Sequence, residues 1–276
     1  IYGTIGGGFN NTASTGAYAT VGGGNTNIAS GAFAPTVAGG NTNTASGQES
    51  FVGGGFSNTA SAIYTTVSGG TANTASGARS TVSGGNSNQA TNTYATVSGG
   101  TGNIASGSAS FIGSGTNNTA SGLESSIGGG ITNVASGDRS SVGGGVTNTA
   151  AGDFSAIPGG HLLTITANAD YSFGFLANAS GGANAMTLDQ PSTALFGNTH
   201  LWLANNNGTA SQLRFYEANG ANGTFPPASI NYTAFQAGAQ TADITYTLPT
   251  AAPSSNGQIL TSTTAGVMTW TSASVG

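Results

Sequence analysis

Cysteine and lysine are absent from these 276 residues, and charged side chains make up only 4% of them, against about a quarter in an ordinary globular chain. Without cysteine there is neither a disulfide nor a thiolate metal ligand, so durability has to come from backbone pairing and burial. Three arginines (Arg79, Arg139, Arg214) against eight acids leave a net charge of −5. That is too little positive charge to neutralise a phosphate backbone, so nucleic acid is not expected as a partner. No run of about 18 apolar residues occurs, so no membrane span is expected. No signal-peptide pattern opens the chain, which starts in mid-repeat at Ile1; the expectation is a processed or partly observed product of a longer precursor. Forty-eight glycines and low charge do not imply disorder, because disordered chains combine high net charge with few β-branched residues, the opposite of this sequence.

What the chain does have is a period. A lone β-branched aliphatic recurs ahead of a glycine cluster at Ile5, Val21, Val37, Val52, Val67, Val82, Val97, Ile112, Ile127, Val142 and Ile157, at intervals of 16, 16 and then 15 throughout. Six residues later ten of these eleven copies carry an asparagine (Asn11, Asn27, Asn43 and so on to Asn148), and eight later an alanine. So strict a period marks stacked coils. Fifteen residues are too few for a helix pair, and Tyr94-Ala95-Thr96-Val97-Ser98-Gly99-Gly100 is β-branched and glycine-punctuated, so each coil should hold two short strands. The fold class expected is therefore all-β: a parallel β-roll or β-solenoid of about ten 15-residue coils, roughly 50 Å long at one strand spacing per coil.

Residues 1–158 read as this repeat array. Glycines such as Gly31, Gly47, Gly77 and Gly107 are expected to close the coils, since glycine accepts positive φ and close backbone approach. The asparagine column reads as an internal ladder of amide bonding to amide, mixed with turn formation. The most variable position lies just before the aliphatic: Tyr18, Ala34, Glu49, Tyr64, Arg79, Tyr94, Ala109, Glu124, Arg139 and Phe154. It reads as solvent-facing, with a lateral contact surface as the functional alternative, and it would set Glu124 beside Arg139. One Val/Ile and one Ala per coil bury little against the entropy of ordering 15 residues. The reading that follows is a homotrimer in which each chain lends its Val/Ile face to a shared centre.

Pro158 replaces a repeat glycine and Leu163 the asparagine, so the array is expected to stop there. Residues 159–203 read as a transition of irregular β structure. Residues 204–276 read as a β-rich trimerisation domain with strands at Leu213–Glu217, Asp243–Pro249, and a hairpin of Gln258–Thr261 with Val267–Thr271. Trp202, Phe215, Tyr216, Tyr232, Phe235, Tyr246 and Trp270 are expected to form its core.

No catalytic, cofactor-binding or metal residue is assigned. His161 and His200 lie 39 apart with no acid spaced to form a triad. Asp138 and Asp153 occupy equivalent positions on successive coils and are weighed as a shared cation site, against plain solvation. The acids Glu49 and Glu124 would lie ~24 Å apart, too far for paired-carboxylate hydrolysis, so a carbohydrate-active solenoid enzyme is the weakest reading. Strings such as Gly22-Gly23-Gly24 lack the following lysine of a phosphate loop. Sequons at Asn10, Asn117, Asn178, Asn207, Asn222 and Asn231 leave glycosylation open.

The run Asn-Thr-Ala-Ser-Gly, with Thr-Val-Ser-Gly-Gly beside it, resembles the head repeats of trimeric autotransporter adhesins, the YadA-like left-handed parallel β-roll, over roughly residues 1–158. Residues Leu201–Asn206, Leu213–Glu217, Tyr246–Pro249 and Asn256–Leu260 resemble the β segment preceding intramolecular chaperones of the tail-spike type. The resemblance implies a non-enzymatic, secreted, homotrimeric fibre at a bacterial cell surface or in an extracellular filament. Its expected partners are sister chains, end-to-end copies of itself, and a surface receptor or glycan. A phage tail fibre that binds a receptor is the alternative.

Overall fold

The computed structural model describes residues 2–15, 17–177, 185–197, 199, 212–216, 232–236 and 245–272. Each motif coil gives one two-residue strand to each of two parallel sheets, and the coils after Ile157 give strands of three or four residues. The first sheet stacks thirteen strands from Thr4–Ile5 to Ala194–Gly197, and the second twelve from Thr12–Ala13 to Met186–Leu188. Pairing advances by one coil: Val82 faces Val67 and Val97, and Ala75 faces Ala60 and Ala90. Among the described residues there is no helix. The protein is thus a parallel β-solenoid.

Alternation of side chains along a strand explains why so few residues suffice. In Thr81–Val82 the threonine faces out and the valine in. The same rule turns Ala90 inward between Gln89 and Thr91. Four columns fill the interior, represented in one coil by Ser80, Val82, Asn88 and Ala90, all fully buried. This corrects the reading that Val/Ile faces are left over for a shared trimer centre. The single chain already buries them, in a core that runs unbroken from coil to coil.

Backbone hydrogen bonds join each coil to its neighbours. Strand amides of one coil donate to carbonyls of the next, as in Thr81 N to Ala95 O (3.0 Å), Ser83 N to Val97 O (3.0 Å) and Gln89 N to Asn103 O (2.8 Å). Corner amides donate the other way, as in Ser87 N to Thr71 O (2.9 Å) and Tyr94 N to Ala78 O (3.0 Å), so each end of the stack presents both amides and carbonyls.

Glycine is required at the turn after the aliphatic, but the coil corners are a correction to the sequence reading. Gly85 has φ 89°, whereas Ser87 (57°) and Tyr94 (59°) hold left-handed corners without being glycine. The closing glycines serve close approach instead: a Cβ on Gly77 would lie 2.6 Å from Asn92 Cα and nearer still to the Asn92 carbonyl.

The sequence motif ends at Ile157, but stacking, expected to stop at Pro158, continues. Leu163–Ile165 pairs with both Thr149–Ala150 and Met186–Leu188, and Phe173–Leu176 carries the first sheet on to Ala194–Gly197. The proline withdraws one amide; it does not close the sheet, because neighbouring strand residues still pair. Larger apolar residues (Leu163, Ile165, Leu176) fill the core of these later coils.

Two units, Ile1–His200 and Leu201–Gly276, hold their contacts mainly within themselves. In the second, Gln212–Tyr216 pairs antiparallel with Tyr232–Gln236, and Gln258–Ser262 with Met268–Ser272. The latter hairpin turns through Gly266 (φ 80°), whose amide donates to Thr263 O at 3.0 Å. The strand expected over Asp243–Pro249 is reduced in the described residues to one bridge, Thr247 to Val267. Tyr246, expected in a core, is 60% exposed. Trp270 is half-buried and donates Nε1–H to Ala251 O at 2.9 Å. Trp202 and the side chains of Phe215, Tyr216, Tyr232 and Phe235 fall outside the described residues.

Candidate functional site

The variable position forms a ridge along the solenoid. From Tyr18 to Phe154 each of its residues is left-handed, with φ between 44° and 64°, a conformation that costs a non-glycine residue about 1–2 kcal/mol. The repeat imposes that corner whatever side chain occupies it, which is why the column tolerates Tyr, Ala, Glu, Arg and Phe alike. What varies is the contact made one coil away. Tyr18 meets Tyr2 (6.1 Å between centroids) and Phe33 (5.5 Å). Arg79 lies between the rings of Tyr64 (5.4 Å) and Tyr94 (5.6 Å). Arg139 pairs with Glu124 at 2.9 Å and covers Phe154 at 5.3 Å, and Phe154 stacks on Tyr171 at 5.0 Å. The Glu124–Arg139 pair anticipated from the repeat is present, half exposed on both sides, and so is worth under about 1 kcal/mol.

At Ala109 (φ 55°) the strain has no stacking partner to offset it. Ala109→Gly is expected to raise unfolding stability by about 1 kcal/mol, read as a shift in the urea midpoint. No shift, or a fall, would show that the corner is not strained.

Beside the ridge, Asp138 and Asp153 have a structural occupation. Asp138 Oδ1 accepts the Leu123 amide (3.0 Å), Asp153 Oδ1 the Asp138 amide (2.8 Å), and Asp170 Oδ1 the Asp153 amide (2.8 Å). These carboxylates tie successive corners together. Among the described residues no three His, Cys, Asp or Glu side chains converge. Glu49 stands exposed on the ridge, His161 is half-buried on the last motif coil, and His200 lies outside the described residues.

The asparagine column is internal, and its bonding is side chain to backbone rather than chiefly amide to amide. Asn103 Nδ2 donates to Gly99 O (3.0 Å) and to Gly115 O of the next coil (2.9 Å), while its Oδ1 accepts the Asn118 amide (3.0 Å). The same three bonds recur at Asn27, Asn43, Asn58, Asn73, Asn88, Asn118 and Asn133. Sequence spacing placed the column but could not choose among its partners.

The serine column is less well matched. Ser50 Oγ donates to Gly47 O at 2.8 Å, but Ser80, Ser110, Ser125, Ser140 and Ser155 have buried hydroxyls with no partner. Ala95 fills the same column position, fully buried. Ser110→Ala should therefore be neutral or stabilising by up to about 1–2 kcal/mol. A loss above 1 kcal/mol by chemical denaturation would mean that the hydroxyl is bonded after all.

In the second unit a cleft of about 500 Å³ opens between Leu248, Pro249, Gln258, Met268 and Trp270 and has no charged residue in its lining. No protein-family model matches the chain, and no curated protein matches it either.

Proposed function

We propose that the protein is a non-enzymatic structural subunit of a secreted, homotrimeric surface fibre or extracellular filament, serving adhesion or linkage between cells. The observation that carries this reading is the construction of the solenoid. Two unbroken ladders run the length of the repeat, the inward columns are spent on holding coils together, and sequence variety falls on outward columns, the ridge and the Phe9-to-His161 column among them. A repeat array with an invariant interior and variable outward columns suits a scaffold that presents a surface. The YadA-like likeness of the ten-fold motif supports an extracellular setting, and the parallel in-register pairing leaves end edges that another copy could extend by the same pattern, which suits head-to-tail association.

Support for trimerisation shifts to the second unit. In residues 245–272 only Gly266 is buried, while Tyr246, Leu248, Ile259, Leu260 and Val267 are all exposed. A two-stranded hairpin is marginal on its own in water, so sister hairpins are the proposed cover. Native mass spectrometry of the purified chain, with electron microscopy, tests the reading: trimeric rods or filaments are expected. A folded monomer at micromolar concentration would overturn it.

A further inference from the structure

We propose that the outer face of the second sheet is an ice-binding surface. On each coil the residues flanking the buried alanine point outward, as Thr59 and Ser61 do around Ala60. From Thr12 to Thr164 the first of these two columns is β-branched in ten of eleven coils, seven of them threonine; the second, from Ser14 to Thr166, is serine or threonine in ten of eleven. Ile28, Ile104 and Val134 keep the branched methyl where they lack the hydroxyl, and Gln89 alone is unbranched.

Three properties point to crystalline water as the ligand. First, the array is a lattice. Parallel pairing sets Thr44, Thr59 and Thr74 in direct register, one strand spacing of ~4.8 Å apart, close to the repeat of oxygen rows in hexagonal ice. β-Branching restricts χ1 along the first column, which limits where its hydroxyls and methyls can lie. Second, these hydroxyls are unspent: those of Thr44, Thr59, Thr74, Ser46, Ser61 and Ser76 make no hydrogen bond to another described residue, although the half-exposed threonines are held in place by the sheet. Third, neither column contains a charged residue, whose strong hydration shell would compete with an ordered water layer.

The same properties disfavour other occupants. Polysaccharide recognition draws on aromatic platforms, and neither column has an aromatic residue. A protein interface core is enriched in large apolar and aromatic side chains, where this face offers small hydroxyls. The inference does not rest on trimerisation, and it requires only that this face stay uncovered.

The test is nanolitre osmometry and ice-adsorption imaging on the full chain. Wild type is expected to facet ice crystals and open a gap between melting and freezing. The double variant Thr59→Tyr/Thr74→Tyr should lose both effects with its far-UV spectrum unchanged. Thr59→Ser/Thr74→Ser, a milder pair that removes only the methyls, should narrow the gap. Thr81→Tyr, on the outer face of the first sheet, should leave it intact. Round, unfaceted crystals with wild-type protein would overturn the proposal, whether or not the chain adsorbs to a crystalline polysaccharide. Loss of the effect in Thr81→Tyr with retention in the double variant would overturn the choice of face. A change of native mass in the double variant would identify the face as a contact between copies and overturn it too.

Discussion

Asn103→Ala is expected to lower the unfolding free energy by about 3–5 kcal/mol, measured by urea denaturation. The amide serves three backbone groups at once, and the consequences of its loss are unequal. Gly115 O keeps a second donor, the Thr101 amide at 2.9 Å. The Asn118 amide, which donates to Asn103 Oδ1 inside the buried column, and the half-buried Gly99 O, which accepts from Nδ2, are left without their side-chain partner. A cavity adds to the cost. Asn11 makes the equivalent bonds to Gly7 O and Gly24 O, yet it is only partly buried. Water can replace its amide there, so Asn11→Ala should cost about 1 kcal/mol or less. Equal losses at the two positions would show that the column contributes through turn propensity alone, independent of burial.

Two adjacent glycines should give opposite results. Gly100 has φ 91°, and a Cβ there would lie 2.6 Å from Asn103 Nδ2 and 2.8 Å from Gly115 N, with the Gly115 carbonyl closer still. Overpacking against backbone cannot be relieved by a rotamer change, and the left-handed penalty adds to it; Gly100→Ala is expected to cost about 3–5 kcal/mol. Gly99, one residue earlier, has nothing within 4 Å of its added Cβ, and Ser114 already fills the matching place on the next coil. Gly99→Ala should stay within about 0.5 kcal/mol of wild type. If thermal or urea melts show both variants alike, the turn is looser than this geometry requires.

The repeat made the solenoid legible because a parallel in-register stack forces one chemical environment on equivalent positions. A column that is valine or isoleucine in every copy, or asparagine in ten, can only be one environment repeated. The hairpin at Gln258–Ser262 and Met268–Ser272 was equally readable, from two β-rich runs around Ala265-Gly266. The ridge could be read as exposed, since no interior would accept Glu49, Arg79 and Tyr94 at one site. Its stacked contacts could be anticipated only where charges of opposite sign fell one coil apart, at Glu124 and Arg139.

What periodicity could not supply was orientation and connectivity. It could not tell whether valine faced its own chain or a sister's, because both arrangements give the same spacing. It did not show that Asn103 would bond backbone on two coils, that Asp138 and Asp153 would cap the corners before them, or that Pro158 would leave both ladders running. Tyr246 illustrates the limit: an aromatic in a β-rich run is ordinarily buried, but this one is 60% exposed, and periodicity says nothing of what packs against it.

The amino-acid order alone determined the strand content, the coil length and which side chains share a column, since these follow from period and from the in-out alternation of extended backbone. Only the folded chain decided which columns close on each other. That depends on the sharp left-handed corners at Ser87 and Tyr94, which bring Val82, Asn88 and Ala90 face to face and leave the threonine rows outside.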